Sequence, residues 1–348
     1  MRAVRLHGIR DLRVDELDQW KPSVGEALIR VEACGVCPSE VRSFTGARAG
    51  SSYEHQLPRV LGHEWTGTVA EVGPPGDDEG TTAFGVEEGQ RVAVDWRCVC
   101  GTCPSCHQGR FDLCERLSNC VRGGFVEYGV APLSQLRVVP AHVSGEEAAF
   151  TEPLACVLNG HRVLAVEPGD DVVVVGAGPM GLLHAQVAIA RGARVIVCDP
   201  VAERCDAATE LGAHEVVNET GEEAVAAVKG MTDGRGADAV VVAVGAIEAI
   251  RQGLSMAGPA GRVNLFAGTF PAGELSIDPN GVHYPQLVVT GTHDYTPRQF
   301  TAAARLISLG TIRVAPLISH RGSLDEVTAA FERIIGHQGL KTVILPHT

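Results

Sequence analysis

Val172-Val173-Val174-Val175-Gly176-Ala177-Gly178-Pro179-Met180-Gly181 is the stretch that decides the fold. Four successive valines read as a buried strand, and the glycines follow at the spacing of a phosphate-cradling turn. Gly176 permits a tight turn, Gly178 lets a pyrophosphate approach the backbone, and Gly181 lets helix and strand pack closely. Pro179 and Met180 open the helix, whose free N–H groups and dipole favour an anion. Asp199 ends the next strand, 18 residues after Gly181. A carboxylate there accepts hydrogen bonds from a ribose 2′- and 3′-hydroxyl and repels a 2′-phosphate, which favours NAD over NADP. Arg204, one helical turn on, either touches the adenosine or is a solvated helix residue.

Beyond this unit the pattern keeps alternating. Strands are predicted over 194–198, 215–217, 239–244, 262–267 and 287–290, with helices over 180–191, 201–211 and 247–256. Such alternation implies a parallel sheet covered on both faces. Upstream, the first ~145 residues carry short alternating apolar segments, 27–32, 67–72 and 90–94, typical of a β-rich domain. Residues 74–88 are acidic, Gly-rich and aperiodic, and read as a surface loop. Ser144 and Glu147 form a capping box that announces a helix. The chain closes with helices over 297–309 and 324–335 and a strand over 342–345.

A length of 348 residues exceeds a usual single core and suggests two domains. No apolar run approaches the roughly 20 residues needed to cross a bilayer. Residues 1–10 lack the apolar core of a signal peptide, so a cytoplasmic protein without a membrane partner is expected. The net charge of −13 argues against a nucleic-acid partner, and no basic run offsets it.

Eleven cysteines suggest metal binding, since disulfides are disfavoured in a reducing compartment. Cys100, Cys103, Cys106 and Cys114 bring four thiolates together through short loops, which suits tetrahedral Zn²⁺. A closed four-sulfur site has no open position, so that zinc is structural. Cys98 and Cys120 flank the lobe and read as buried thiols.

Three further pieces are separately ambiguous: Gly35-Val36-Cys37-Pro38-Ser39-Glu40, Gly62-His63-Glu64, and Thr151-Glu152-Pro153-Leu154-Ala155. Together they offer a sulfur, an imidazole nitrogen and carboxylate oxygens, a mixture that suits an open zinc site. With the lobe and the nucleotide motif, the chain resembles the medium-chain zinc dehydrogenases over nearly its full length. The polyol branch, with its sorbitol, iditol and threonine dehydrogenase-like members, is the closer likeness. Residues 152–159, 276–280 and the neighbouring His283 and Tyr284 carry it.

The resemblance implies an α/β chain: a β-rich GroES-like catalytic domain plus a doubly wound, parallel-sheet Rossmann domain. The catalytic domain would span 1–148 and 293–348, the NAD-binding domain 149–292, with the active site in the cleft between them. Cys37 and His63 would ligate the catalytic zinc, completed by Glu64 or Glu152, directly or through water. Two zincs per chain and NAD are the implied cofactors. Glu152 stands where the alcohol-dehydrogenase branch has a cysteine, which favours polyol-type members. Pro38 and Glu40 depart from the pattern, which has glycine or arginine and aspartate there.

The expected reaction transfers a hydride from a secondary alcohol of a polyol or cyclitol to NAD, giving a ketone. Zinc would lower the pKa of the hydroxyl, and Ser39 would relay its proton. One alternative substrate is an amino alcohol such as threonine, or an aminocyclitol, with Glu40, Glu152 or Asp95 facing the amine. An alternative of another class is a non-catalytic, NAD-binding redox sensor. Relatives imply a homodimer or homotetramer. His55 reads as a loop histidine, and no role is evident for His283 and Tyr284.

Overall fold

The computed structural model describes residues 1–47, 57–74, 85–118 and 120–348; counts below refer to these. His55 and most of the expected 74–88 loop lie outside them. The chain divides into two compact units: Met1–Pro153 with Thr296–Gly310 and Val314–Thr348, and Leu154–Tyr295 with Thr311–Arg313.

In chain order, the first unit begins with β1 (Arg2–Gly8), β2 (Asp11–Glu16), β3 (Glu26–Gly35), α1 (Pro38–Phe44), β4 (Arg59–Val60), β5 (Glu64–Val72) and β6 (Arg91–Val94). It continues through α2 (Pro104–His107), β7 (Tyr128–Pro132), β8 (Leu136–Val138) and α3 (Gly145–Ala148). Then α4 (Thr151–Leu164) leads into β9 (Asp171–Val175), α5 (Pro179–Ala190), β10 (Arg194–Cys198), α6 (Ala202–Glu210) and β11 (Glu215–Val217). α7 (Gly221–Met231), β12 (Ala237–Val242), α8 (Ile247–Met256), β13 (Ala257–Leu265), α9 (Pro279–His283) and β14 (Val288–Gly291) follow. α10 (Pro297–Ser308), β15 (Ile318–Gly322), α11 (Val327–Ile335) and β16 (Lys341–Ile344) end the chain.

In the first unit β15-β16-β3-β5-β6-β8 form one sheet, with β7 also pairing β3, while β2-β1-β4 form a small second sheet. The core between them gathers Ile29, Val31, Trp65, Phe44, Phe125 and Phe331. Val343 and Ile344 of β16 pair with Gly35 and Cys34, so the chain's last strand completes the sheet just before Cys37. The capping box at Ser144 is present: its Oγ accepts from Glu147 N–H at 3.2 Å, and Glu147 accepts from Ser144 N–H at 3.0 Å. Such a cap is worth about 1 kcal/mol.

The second unit is a six-stranded sheet in the order β11-β10-β9-β12-β13-β14, parallel throughout. The order reverses beside β9, which is where a doubly wound sheet leaves a crevice for a ligand. Val172 to Val174 are fully buried, as a strand covered on both faces requires. The strands at 194–198 and 215–217 and the helix at 247–256 match their expected bounds. β13 starts earlier than expected, at Ala257. The expected helix over 324–335 opens as a 3₁₀ turn, Leu324–Glu326.

Two histidines are buried in this unit. His161 donates from Nε2 to the carbonyl of His184 at 3.1 Å, and the two rings lie 5.1 Å apart. Neither ring nitrogen of His184 has a hydrogen-bond partner. Burial lowers the pKa of His161 to about 3 and pushes that of His184 well down, with the neighbouring His161 adding to the latter. Both are neutral in the folded protein and ordinary in the unfolded chain. Above pH ~6.5 neither state binds a proton there; below it the unfolded state takes protons that the folded state refuses. Stability is therefore lost as pH falls from ~6.5, at up to roughly 1.4 kcal/mol per pH unit for each histidine. His184→Leu should lose less melting temperature than the native protein between pH 7.5 and 5.5. An equal drop in scanning fluorimetry would contradict this.

Candidate active site and metal lobe

The end of β3, the start of β5 and the first turn of α1 converge. Pro38 takes the first helical position of α1, where its missing N–H loses nothing. Cys37 is the N-cap, and its N–H donates to Glu40 Oε2 at 3.3 Å. Glu40 Oε1 accepts from Gly62 N–H and lies 3.1 Å from His63 Nδ1. That contact holds His63 by Nδ1 and leaves Nε2 as its metal-facing nitrogen, the carboxylate–histidine arrangement common at metal sites. Glu40 thus orients His63 through its own carboxylate. Ser39 Oγ donates to Cys37 Sγ at 3.2 Å.

Donor atoms of Cys37, His63 and Glu64 all lie within 4.8 Å of one another. Glu152, at the start of α4, stands outside this trio. Its Oε1 accepts from Trp96 Nε1 at 3.3 Å, and the Trp96 ring meets His63 edge-on at 5.7 Å. Glu40, Glu64 and Glu152 are only 5%, 2% and 6% exposed, so three carboxylates and a thiol share a nearly dry space. Burial pushes the Glu152 pKa up to about 7, with His63 opposing and Glu64 adding to the rise. Burial works against a charged His63, yet Glu40 and Cys37 raise its pKa well above the usual value. A field that raises proton affinity this way also favours a divalent cation. The residues therefore fit a zinc ion.

Sequence reading missed Lys341. Its Nζ forms an ion pair with Glu64 Oε2, and both groups are buried. Burial opposes the ammonium, but Glu64 and Cys37 raise its pKa. Gly35 makes room for the pair: a Cβ there would collide with the Glu64 carboxylate and the Lys341 chain. The rarity of lysine in the chain and the glycine beside Cys34 were the available signals.

In the lobe, Cys100, Cys103, Cys106 and Cys114 come together within the same 4.8 Å limit. Cys103 caps the N-terminus of α2, its sulfur accepting from Cys106 N–H at 3.4 Å, and Cys114 Sγ accepts from Cys100 N–H at 3.4 Å. Backbone N–H donation, led by Thr102, lowers the Cys100 pKa to about 5, while burial pushes Cys106 up to about 12. The sulfurs cannot all ionise without a cation among them, and Zn²⁺ suits that set. The flanking cysteines are not buried thiols: Cys98 and Cys120 are joined as a disulfide.

At the nucleotide motif, Gly176 has φ +100°, and a Cβ on Gly178 would meet nothing within 4 Å, so the space beside its α-carbon is open. Asp199 Oδ2 accepts from Ala177 N–H at 2.7 Å and Oδ1 from Val201 N–H at 2.9 Å. Arg204 lies 3.9 Å from Asp199. Of the acids named for an amine, Asp95 is fully buried and accepts from Arg97 N–H at 3.0 Å. Glu40 is committed to His63 and two backbone N–H groups. His283 and Tyr284 meet edge-on at 5.0 Å, with Tyr284 exposed.

Breaking a buried ion pair on one side costs about 3–5 kcal/mol. Lys341→Met should destabilise the protein by that order in urea melts, and Lys341→Met with Glu64→Gln should recover much of it. If the double variant is no better than the single one, the pair is not what holds this corner.

A zinc-binding dehydrogenase model matches residues 179–308, and an alcohol dehydrogenase GroES-like domain model matches 23–141. L-threonine 3-dehydrogenase of Pyrococcus furiosus is 35% identical over 91% of this chain and 90% of its own. Sorbitol dehydrogenase of Halalkalibacterium halodurans is 31% identical over 98% and 97%. A solved zinc-binding dehydrogenase from Sinorhizobium meliloti, bound to NADP, superimposes with a TM-score of 0.89 at 29% identity, covering 99% of each chain.

Proposed function

Because the chain belongs to the zinc-binding dehydrogenase family with a GroES-like domain, we propose that it oxidises a secondary alcohol of a polyol or cyclitol to the ketone, with NAD as acceptor. The observation that carries this reading is the convergence of Cys37, His63 and Glu64 beside the carboxylate of Glu152. Cys37 and His63, with Glu64 or Glu152, hold the catalytic zinc; Cys100, Cys103, Cys106 and Cys114 hold the structural one. Zinc bound there supplies the Lewis acidity that brings a hydroxyl's pKa toward neutrality, and the nicotinamide accepts the hydride. Glu40 keeps His63 oriented. Ser39, hydrogen-bonded to Cys37 Sγ, takes the substrate's proton outward. The first unit is the catalytic domain and the second binds NAD. Asp199 follows β10 directly and sets its carboxylate against the glycine turn, which supports NAD against a 2′-phosphate.

The threonine dehydrogenase relatives support a second reading, an amino alcohol substrate. Glu152 is then the acid that meets the amine, since Glu40 and Asp95 are already engaged. A homodimer or homotetramer is supported by the edge strand β14, where Val288 is half exposed. Cytoplasmic placement is supported by a lobe that needs four reduced thiols.

Turnover is tested on polyols, inositols, amino sugars and threonine by NADH absorbance. NADH from a polyol or cyclitol with two zincs per chain is the expected result; threonine alone as substrate would replace it with the second reading. Cys37→Ala and His63→Ala should lower turnover by roughly 1,000-fold or more while NAD still binds. Turnover within tenfold of native in either variant sinks the zinc mechanism. NAD should exceed NADP in kcat/KM, and Asp199→Ala should narrow the gap; an NADP preference in the native enzyme overturns that assignment.

A further inference from the structure

The disulfide between Cys98 and Cys120 spans 22 residues, and the loop it closes contains all four lobe cysteines. Its Cα atoms are 6.1 Å apart, an ordinary disulfide span. The same neck is held by backbone pairing of Cys98 with Ser118, whose N–H donates to Cys98 O at 3.0 Å. Gln135 Nε2 donates to Cys98 Sγ at 3.4 Å and to Arg97 O at 3.3 Å. Arg97 in turn donates from Nη2 to the carbonyls of Phe111 and Asp112 in the lobe, at 3.2 and 3.3 Å. Neck and lobe therefore form one bonded structure.

The two cysteines differ in access. Cys98 is 5% exposed, whereas Cys120 is half-buried and follows an exposed run, 115–118. Outside the lobe, Cys34, Cys198 and Cys205 are buried, and burial pushes each pKa up, while Cys37 and Cys156 are half-buried. A thiol–disulfide exchange that needs one accessible sulfur and one resolving sulfur has both at the neck.

We propose that Cys98 and Cys120 form a reversible redox clasp that closes the neck of the four-cysteine lobe and slows the exchange of its metal. This rests on the lobe holding zinc. In the closing step the Cys120 thiolate attacks a low-molecular-weight disulfide and releases one thiol. The Cys98 thiolate then displaces the second thiol, forming the Cys98–Cys120 bond. Two protein thiols lose two protons and two electrons; the small disulfide takes them and leaves as two thiols. A dithiol reverses the reaction. Closed, the neck cannot splay, so a lobe sulfur that leaves the metal stays near it and rebinds. Open, the two strands of the neck are held together by the Cys98–Ser118 pairing and the hydrogen bonds of Gln135 and Arg97.

The test uses zinc-loaded enzyme, treated either with a dithiol or with a low-molecular-weight disulfide. Both forms are exposed to an alkylating agent and a zinc chelator, then mapped by mass spectrometry. Expected is a Cys98–Cys120 link in the oxidised form alone. In that form Cys100, Cys103, Cys106 and Cys114 should alkylate roughly tenfold more slowly than in the reduced form. Cys120→Ser and, independently, Cys98→Ser should show the fast rate under both treatments. No link under the oxidant, or equal alkylation rates with and without it, overturns the proposal. Zinc content of both forms before alkylation separates the two failures: with zinc present, equal rates overturn the clasp, whereas zinc absent from both overturns the lobe reading beneath it.

Discussion

A buried excess of negative charge governs the first unit. Glu40, Glu64 and Glu152 occupy a space almost closed to water beside the half-buried Cys37, and each uncompensated carboxylate there would cost several kcal/mol. Each is answered differently. Glu40 accepts from two backbone N–H groups and contacts His63. Glu64 is met by Lys341. Glu152 accepts from Trp96 and holds its proton more tightly than an ordinary carboxyl. Cys37 receives one hydroxyl hydrogen bond, from Ser39. A divalent cation is the remaining compensation this set calls for, and Cys37, His63 and Glu64 are spaced to share one. The chain returns from the second unit to lay β16 beside β3, and that return delivers Lys341.

The legible parts of the sequence were those with short-range spacing. The glycine motif, the four-cysteine lobe and the Ser144 capping box each lie within a few residues, and each element has the form its spacing implies. Lys341 was not legible, because its partner lies at the far end of the chain and nothing local marks a lysine at the start of a strand as buried. The Cys98–Cys120 bond was missed for a related reason: the lobe pattern is complete without them, so they read as ordinary thiols. The early start of β13 was not legible because Gly258 and Pro259 carry no strand signal. Ala260 does adopt φ +57°, and the pairing with β12 shifts register there, but the strand runs through. β15 is a short edge strand whose sequence, Ile-Ser-His-Arg-Gly, carries little apolar signal.

Asp199, proposed to meet the ribose, also shapes the turn beside it. Its carboxylate takes the N–H of Ala177, inside the glycine turn, and that of Val201, at the start of the next segment. The two bonds tie the turn after β9 to the end of β10 before any nucleotide arrives. Each carboxylate oxygen has a second lone pair, so ribose hydroxyls can add to these bonds without displacing them. Arg204, 3.9 Å away, balances the charge. Removing Asp199 would therefore loosen the turn as well as the ribose contact, and the two effects separate only when binding and stability are both measured.

The choice between Glu64 and Glu152 as the last proposed zinc ligand comes down to competition. Lys341 occupies Oε2 of Glu64, which leaves the carboxylate one further oxygen for a metal. An ammonium on one oxygen weakens the other as a donor, because it draws charge toward itself. Glu152 accepts from Trp96 and feels Lys341 only electrostatically; burial makes a proton its competitor. A cation entering the site removes the reason for that proton, so binding would turn Glu152 into a stronger donor just where Glu64 is a weakened one. Distance favours Glu64 and charge favours Glu152. Lys341 acts on both carboxylates, paired to Glu64 and near enough to Glu152 to be felt, so it sets the balance between them.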